Sequence, residues 1–277
     1  MVNVEEIIKS QSLVLHPHTS ARLDVELLVA HCLRVDRSAL FREPERDLSP
    51  NQSQEIESLV KARQAGQPIS QLIGRAEFFS LEFDVNAHVL TPRPETELLV
   101  ERALAMIGDE TSTVVDAGTG SGAIAIALAR EAPTATVLAC DVSTKALAVA
   151  RANQQRHNAE NVNLVQCDWL SAVSDGAADI ILSNPPYIES SDPHLLGDGV
   201  RFEPVLALDG GVDGLNAYRE LIPQAVHKLR SGGAIFLEHG FDQSDSLQKM
   251  LTKHGFEPQE TLLDLSGHER ICVAKKK

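Results

Sequence analysis

A strand, a glycine-rich loop and a helix follow one another directly near the middle of this 277-residue chain, and this run constrains the fold most strongly. The apolar segment 112–116 predicts a short strand that ends in the carboxylate of Asp116. The loop 117–122 carries three glycines, which let a ligand approach the backbone without meeting a Cβ atom. The alanine-rich segment 123–130 then predicts a helix, whose first N–H groups have no partner inside it. Elements in this order open a doubly wound α/β domain, which binds ligands at the carboxyl ends of its strands.

Later strands of the same sheet are predicted from apolar runs that end in polar side chains. These runs span residues 135–141, 163–169, 178–183 and 233–238, and two final strands are expected near 257–264 and 270–275. The first two runs carry Asp141 and Asp168 at their ends, and the third leads into Asn184. A single acid at a strand end is most often a helix cap. The series from Asp116 to Asn184 instead predicts a binding edge along the sheet.

These strand-end side chains have the chemistry of a nucleoside site. Asp141 can accept hydrogen bonds from both hydroxyls of a ribose. The carboxylate of Asp168 can accept a hydrogen bond from an adenine amino group, and the indole of Trp169 can pack against the ring. Ser143 is the predicted N-cap of the helix that follows the second strand.

The segment Asn184-Pro185-Pro186-Tyr187 ends the fourth strand, because neither proline has an N–H group to donate to a sheet. Taken alone, this segment predicts a plain turn as well as it predicts a binding edge. After three strands with terminal acids, it predicts a rigid edge that presents the Asn184 side-chain oxygen, the Pro185 carbonyl and the Tyr187 ring. Two adjacent acceptors beside a flat apolar face suit a planar NH2 group on an sp2 carbon. Primary amides and the exocyclic amines of nucleobases are such groups.

A dinucleotide site is a serious alternative for the glycine loop. Gly-x-Gly-x-x-Ala at 118–123 fits the dinucleotide pattern, and Asp141 lies at the expected spacing of about 20 residues. Asp116 weighs against NAD, because it would repel a pyrophosphate and would attract a sulfonium cofactor that carries an ammonium group. A pyrophosphate loop also leaves the segment 184–187 without a role.

Together these motifs resemble those of the class I S-adenosylmethionine-dependent methyltransferases. Asp-x-Gly-x-Gly-x-Gly at 116–122 resembles the first motif of that class, and Asn-Pro-Pro-Tyr at 184–187 resembles a motif of adenine-N6 and glutamine-N5 methyltransferases. A more specific resemblance is to the release factor glutamine methyltransferases, the HemK/PrmC family. It is carried by Ala-Arg-Leu-Asp-Val-Glu-Leu-Leu at 21–28, Gly-Arg-Ala-Glu-Phe-Phe at 74–79, Leu-Thr-Pro-Arg-Pro-Glu-Thr-Glu at 90–97 and Glu-Pro-x-x-Ala-Leu-Asp-Gly-Gly at 203–211. Ser80 departs from the family pattern, in which a glycine often follows the aromatic pair, and this leaves the local turn geometry open.

The resemblance implies an enzyme that methylates N5 of the glutamine in the Gly-Gly-Gln loop of peptide chain release factors. The donor would be S-adenosyl-L-methionine and the product S-adenosyl-L-homocysteine, and no metal is implied. The implied cofactor site consists of Gly118, Thr119, Gly120, Ser121, Gly122, Asp141, Asp168, Trp169 and Asn184. The implied substrate site consists of Asn184, Pro185, Pro186, Tyr187 and Phe79, and its expected catalytic residues are Asn184, Pro185 and Tyr187.

The expected fold is α/β, with a Rossmann-like, doubly wound, mostly parallel seven-stranded sheet. A small all-helical N-terminal domain is expected at 1–73, a β-hairpin linker at 74–90 and the methyltransferase domain at 91–277. The helical part either grips a partner or acts as a structural cap. The irregular stretch 188–213 is long for a loop without a function and is expected to shape the substrate side.

The net charge of −14 favours a protein amide over a nucleobase as the target. Nucleic-acid binding relies on Lys and Arg to neutralise phosphates, and the only basic run is the short tail 275–277. No apolar run reaches the ~18 residues of a membrane span, and the first residues lack the apolar stretch of a signal peptide. The four cysteines have no paired spacing for zinc or for disulfides. We therefore expect a cytoplasmic enzyme that makes no direct contact with nucleic acid or membrane.

Three alternatives remain open at this point. An adenine-N6 nucleic-acid methyltransferase would use the same amine-binding edge on a different substrate. A cofactor-binding protein without catalysis would have no need for two convergent acceptors. An NAD enzyme would be distinguished by a test of whether NAD or S-adenosylmethionine raises its melting temperature.

Overall fold

The computed structural model of the chain describes residues 2–17, 20–107, 112–197 and 199–277, and the chain divides into two compact units. The first unit comprises residues 1–75 with 196–202, and the second comprises residues 76–195 with 203–277. Within the described residues, no helix combines the length and the apolar character that crossing a membrane requires.

The first unit is helical, as predicted. Its helices are α1 (Val4–Val14), α2 (Ala21–Leu33), α3 (Arg37–Arg42), α4 (Pro50–Gln64) and α5 (Ile69–Ile73). Helix α4 begins with a capping box, in which Ser49 Oγ accepts from the Gln52 N–H at 3.3 Å and the Ser49 N–H donates to Gln52 Oε1 at 2.9 Å. Pro50 at the first helical position has no N–H to leave unpaired there.

Helix α2 is the most buried helix of this unit, and it carries two buried carboxylates. Asp24 is paired with Arg63 of α4 at 2.7 Å, and Glu26 is paired with Arg22 at 2.9 Å. These partners offset the cost of removing the carboxylates from water. The segment 196–202 packs on the same helices, since Gln71 donates to the carbonyl of Phe202 at 3.1 Å.

The second unit contains two sheets and five helices among its described residues. Its strands are β1 (Arg75–Phe78), β2 (Leu81–Asp84), β3 (Thr113–Ala117), β4 (Thr136–Asp141), β5 (Val162–Gln166), β6 (Ala178–Ser183), β7 (Leu229–Glu238), β8 (Phe256–Leu263) and β9 (Glu269–Lys276). Its helices are α6 (Glu97–Leu104), α7 (Ala123–Glu131), α8 (Thr144–Arg156), α9 (Asn216–Lys228) and α10 (Ser244–Lys253).

The large sheet has seven strands in the order β5-β4-β3-β6-β7-β9-β8. The strands from β5 to β7 are parallel to their neighbours, while β9 runs antiparallel to both β7 and β8. This is the predicted doubly wound, mostly parallel sheet. Apolar clusters cover both of its faces, and α7 is buried along almost its whole length.

Two predicted element boundaries differ from the structure. The strand predicted at 163–169 ends at Gln166, which pairs with Asp141 at the end of the neighbouring strand β4. The chain then turns, and Trp169 adopts a positive φ of 49° that a strand does not allow. Of the hairpin linker predicted at 74–90, only β1 and β2 form strands, which pair as a separate two-stranded sheet. The residues that follow β2 form turns that lead into the short 3-10 turn Pro94–Thr96.

The predicted irregular stretch after Tyr187 contains three short 3-10 turns, at Pro193–Leu196, Val200–Phe202 and Val205–Ala207. One end of this stretch is tied to the segment that leaves β6, since Ile188 pairs with Asp209 in a parallel bridge. Ser190 Oγ donates to Asp209 Oδ1 at 2.6 Å in the same place.

Candidate active site

The candidate site lies where the strand order of the large sheet reverses. Strands β3 and β6 are neighbours in the sheet, although β4 and β5 lie between them in sequence. Their carboxyl ends are joined by a buried hydrogen bond, in which Ser183 Oγ donates to the carbonyl of Ala117 at 2.6 Å. The glycine loop leaves β3 at this point, and Asn184 follows β6. The loop and the Asn-Pro-Pro-Tyr segment therefore lie beside each other at the switch point, where doubly wound sheets bind their ligands.

A cavity of about 440 Å³ opens at this edge. Its volume falls within the range of small-molecule sites, roughly 300–1,000 Å³. The structure brings the following predicted residues together on its wall: Gly118, Thr119, Gly120, Ser121, Asp141, Asp168, Trp169, Asn184, Pro185 and Pro186.

Two other predicted residues, Gly122 and Phe79, are not among the residues that line this cavity. Gly122 precedes α7 with a φ of 82°, and a Cβ atom there would come within 3.0 Å of the Ile126 side chain. The absence of a side chain at Gly122 therefore allows close packing at the start of α7. Phe79 occupies the turn of the β1–β2 hairpin, where its N–H donates to Glu97 Oε1 at 2.7 Å. The preceding Phe78 lines the cavity instead.

Tyr187 also lies outside the lining set, and its side chain packs against the buried cluster on one face of the sheet. Its hydroxyl donates to Glu238 Oε1 at 3.5 Å, and its carbonyl accepts from Gln243 Nε2 at 2.9 Å. Burial raises the pKa of Tyr187, with the nearby Glu238 carboxylate acting in the same direction. The structure thus shows Tyr187 as an anchor of the segment, and its predicted contact with a substrate stays a prediction.

Asp116 lies beneath the glycine loop and is fully buried. Its Oδ2 accepts a 2.6 Å hydrogen bond from the Thr119 hydroxyl, while Oδ1 has no hydrogen-bond partner in the described part of the chain. Burial raises the pKa of Asp116 to about 7, and the Thr119 hydroxyl opposes this shift because it stabilises the charged form. Asp116 does not line the cavity, so we assign it to holding the loop.

Asp141 connects the end of β4 to the loop. Its Oδ2 accepts from the Gly120 N–H at 2.9 Å, and its Oδ1 accepts from the Ser143 N–H at 2.8 Å. Burial raises the pKa of Asp141, and these N–H groups oppose the shift. A carboxylate has about four lone-pair sites, so each oxygen retains one for a ligand. Two hydroxyl groups of a ribose would fit these remaining acceptors.

Trp169 lies across the loop from Asp141. It adopts a φ of 49°, and its indole N–H donates to Glu220 Oε2 at 3.0 Å. A Cβ atom on Gly118 would lie 3.5 Å from the indole ring, so the missing side chain leaves the backbone open beside an aromatic face. Asp168 is exposed and lines the same wall. An adenosyl group therefore fits the residues that the structure places here.

Asn184 is held from one side only. Its Nδ2 donates to Thr96 Oγ1 at 3.1 Å, and its Oδ1 accepts no hydrogen bond from the described residues. The Pro185 carbonyl likewise accepts none from them. Both oxygens belong to residues on the cavity wall and retain their full acceptor capacity.

Two residues that support the site, Thr96 and Glu238, were not predicted from the sequence. Thr96 is buried at the start of α6 and lines the cavity, and its hydroxyl oxygen accepts from Asn184 Nδ2 at 3.1 Å. Glu238 is the last residue of β7, so it carries the same signal of a strand-end acid that identified Asp116 and Asp141.

Arg93 both forms an ion pair and lines the cavity wall. Its guanidinium is paired with the fully buried carboxylate of Glu203, which also accepts from the Thr91 N–H at 3.1 Å. Arg93 and the neighbouring Pro204 line the cavity. The ion pair therefore ties the segment before α6 to the irregular stretch that follows Asn184.

Two family models match the chain, the methyltransferase small domain over residues 94–196 and the PrmC N-terminal domain over residues 6–74. Solved structures of similar fold include the ribosomal protein L11 methylase from Lactobacillus delbrueckii subsp. bulgaricus, with 21% identity and a TM-score of 0.52 over 70% of this chain and 84% of that one. A methyltransferase from Pyrococcus furiosus has 19% identity and a TM-score of 0.54 over 79% of this chain and 97% of that one. These likenesses concern the fold alone.

Relatives of higher identity extend over nearly the whole chain. A release factor glutamine methyltransferase from Pseudomonas aeruginosa is 42% identical over 99% of both chains. The chain belongs to the release factor glutamine methyltransferase family. Relatives of the same name from Coxiella burnetii and Escherichia coli are 39% identical over 100% of both chains and 38% identical over 92% of both. The predicted family and fold class are confirmed, and the chain is a methyltransferase.

Proposed function

We propose that this methyltransferase transfers the methyl group of S-adenosyl-L-methionine to N5 of the glutamine in the Gly-Gly-Gln motif of peptide chain release factors. The observation that carries the proposal is the orientation of Asn184. Because Asn184 Nδ2 donates to Thr96 Oγ1, the side-chain oxygen of Asn184 remains available to a ligand beside the Pro185 carbonyl. Two convergent acceptors match the two N–H bonds of a primary amide.

The proposed role of this edge is to orient the amide nitrogen. Asn184 Oδ1 and the Pro185 carbonyl each accept one N–H, which turns the face of the nitrogen toward the cavity. Both dipoles also stabilise the positive charge that develops on the nitrogen as it attacks. Pro186 keeps the edge rigid, and Phe79 and Tyr187 are the proposed aromatic neighbours of the amide plane.

The glycine loop and the strand ends are the proposed cofactor site. Gly118, Thr119, Gly120, Ser121 and Gly122 form the loop around the methionine end, with Gly122 acting through packing of α7. Asp141 would accept from the ribose hydroxyls, Asp168 from the adenine amino group, and Trp169 would pack against the adenine ring. S-adenosyl-L-methionine supplies a methyl group already activated on a sulfonium, so this chain's residues need only bind, orient and exclude water.

The acceptor is the harder half of the reaction, because the amide lone pair is delocalised, as its rotation barrier of ~18–20 kcal/mol shows. Two hydrogen bonds at roughly 0.5–1.5 kcal/mol each do not offset that cost. Orientation can contribute ~7–11 kcal/mol, so the rigidity of the segment 184–187 matters most. The methylated nitrogen is acidic enough to release its proton to water, and no strong base is needed.

The name that the relatives share supports a release factor as the substrate, and the net charge of −14 agrees with a protein target. The function proposed is that of a cytoplasmic enzyme that does not bind nucleic acid directly. The alternative is an adenine-N6 methyltransferase, which would present the same two acceptors to a nucleobase.

Methyl transfer from labelled S-adenosyl-L-methionine to three acceptors tests the choice between these substrates. We expect label in a purified release factor and none in double-stranded DNA or in RNA. Label in nucleic acid but not in the release factor would refute the proposal.

A further inference from the structure

We propose that Glu220 is a positioning residue of the cofactor site, which holds the indole ring of Trp169 in the orientation that an adenine ring packs against. This inference rests on the proposed function, because it takes the ligand of this wall to be the adenosyl group of S-adenosyl-L-methionine. Glu220 lies on α9, 51 residues after Trp169 in the chain. It acts through the indole and needs no contact with the reacting atoms.

The indole of Trp169 has a neighbour at each of two opposite edges. At one edge, its Nε1–H donates to Glu220 Oε2 at 3.0 Å. At the other edge, Cζ3 lies beside Gly118, where a Cβ atom would be 3.5 Å from it. Trp169, Glu220 and Gly118 all line the cavity. The orientation of the ring on the cavity wall is therefore set by a hydrogen bond on one side and by the backbone of the glycine loop on the other.

The hydrogen bond is the specific part of this arrangement. An indole N–H can only donate and an ionised carboxylate can only accept, so the pair forms in one sense. In the part of the chain that the structure describes, no other group accepts from the Trp169 N–H. Without the Glu220 carboxylate, the N–H would bond to water wherever the ring turned. The ring would then be free to turn into the space that Gly118 leaves open, which is where the adenosyl group is proposed to lie.

The backbone that carries Trp169 is fixed to the same helix. Trp169 has a φ of 49°, which a residue other than glycine keeps only where the surrounding structure enforces it. The N–H of the next residue, Leu170, donates to Gln224 Oε1 at 3.0 Å. Gln224 lies four residues after Glu220, so both side chains project from the same face of α9. Because Gln224 holds the main chain, loss of the Glu220 carboxylate should free the ring and leave the segment in place.

Trp169 is the only tryptophan of the chain, so tryptophan fluorescence reports on this ring alone. Because Glu220 is exposed and alanine is a good helix former, Glu220→Ala should leave α9 intact. The variant should lower the fluorescence anisotropy of the cofactor-free protein, because an untied ring moves more freely. It should also weaken S-adenosyl-L-methionine binding, measured by calorimetry, about 3-fold to 10-fold. Glu220→Gln keeps an acceptor for the indole and should recover most of the affinity and of the anisotropy.

Two further variants separate a role through Trp169 from other roles of a carboxylate. Glu101→Ala removes a negative charge from an exposed position of α6 that does not line the cavity, and it should bind the cofactor as the unmodified protein does. Trp169→Phe removes the indole N–H but keeps an aromatic ring. In the Trp169→Phe background, Glu220→Ala should cause no further loss of affinity, because the two residues act as one unit.

A Glu220→Ala variant with the cofactor affinity or the anisotropy of the unmodified protein would overturn the inference. A loss of affinity that persists in full in the Trp169→Phe background would also overturn it, since Glu220 would then contact the cofactor itself or act through its charge. Both outcomes would leave the proposed function standing. An unmodified protein that does not bind S-adenosyl-L-methionine would overturn the proposed function and this inference with it.

Discussion

Asp141 is the residue on which the proposed cofactor site depends most. Its carboxylate already accepts the N–H groups of Gly120 and Ser143, and its remaining lone pairs are the proposed partners of two ribose hydroxyls. We predict that Asp141→Ala weakens S-adenosyl-L-methionine binding about tenfold or more, because hydrogen bonds to a charged group contribute about 1.5–3 kcal/mol. Titration calorimetry measures this directly. Asp175→Ala, at an exposed residue that does not line the cavity, is the control and should bind as the unmodified protein does.

Asp116 makes the stability of the fold depend on pH. Its pKa of about 7 in the folded chain lies above its ordinary value of 3.8, so the folded state holds this proton more tightly than the unfolded state does. The free energy of unfolding should therefore decrease as the pH rises between these two values. Urea denaturation at about pH 5 and about pH 8 measures the difference. Asp116→Asn cannot ionise and should lose less stability across this range, and an equal loss in both proteins would contradict the assignment. The pKa of Glu238 is also raised to about 7, so its ionisation lowers the free energy of unfolding over the same pH range. Asp116→Asn should therefore keep a smaller decrease of stability with rising pH.

The residues of the candidate site were predictable to the extent that a local sequence signal marks them. Asp141 and Asn184 follow apolar strands, and the structure places both on the cavity wall. Thr96 carries no such signal, because its contact with Asn184 joins positions 88 residues apart. The inward direction of the Tyr187 side chain depends in the same way on Glu238 and Gln243, which come much later in the chain.

At the scale of elements, the β1–β2 hairpin has a strained turn. Phe79 and Ser80 adopt φ values of 53° and 58°, and positive φ at both central positions is the pattern of a type I′ turn. Glycine tolerates this backbone, whereas other residues lose about 1–2 kcal/mol. We predict that Ser80→Gly raises the free energy of unfolding by up to about 1 kcal/mol, after the greater flexibility of the unfolded glycine is counted.

Chemical denaturation of Ser80→Gly and of Ser246→Gly separates turn geometry from a general effect of glycine. Ser246 is exposed inside α10, where glycine should destabilise by roughly 0.5–1 kcal/mol. If both variants are destabilised alike, the turn at Ser80 is not strained in the way described.

The loop that precedes α9 supports the Asn-Pro-Pro-Tyr segment from behind. Gly214 has a φ of 70°, and a Cβ atom there would overlap the Tyr187 carbonyl oxygen and Gln243 Nε2. We predict that Gly214→Ala displaces the segment and lowers kcat/KM about 100-fold, since a shift of about 1 Å at a reacting group can have that effect.

Gly176→Ala is the matched control for Gly214→Ala. Gly176 has a similar φ of 67°, but a Cβ atom there would meet nothing within 4 Å. It should therefore show the backbone strain of a positive φ without the loss of kcat/KM. Equal kinetic losses in the two variants would show that strain, and not contact with Tyr187, is responsible.

For the whole molecule, the sequence predicted the sheet more fully than it predicted the end of each strand. The order of strand, glycine loop and helix, repeated with strand-end acids, indicated a doubly wound sheet, and the strand order β5-β4-β3-β6-β7-β9-β8 confirms it. The insertion of β9 between β7 and β8 was not predicted, because antiparallel pairing at this sheet edge depends on contacts distant in sequence. The end of β5 at Gln166 was missed because the apolar pattern continues into a turn.

The proposed function depends on one claim, that the edge at Asn184 and Pro185 holds a glutamine amide for methylation at its nitrogen. Mass spectrometry of the Gly-Gly-Gln peptide from a release factor incubated with S-adenosyl-L-methionine and either the unmodified enzyme or Asn184→Ala tests this claim most directly. We predict one methyl group on the glutamine side chain with the unmodified enzyme and none with Asn184→Ala, although that variant still binds S-adenosyl-L-methionine. A methyl group on another residue, or an Asn184→Ala variant that methylates the glutamine within a few-fold of the normal rate, would contradict it.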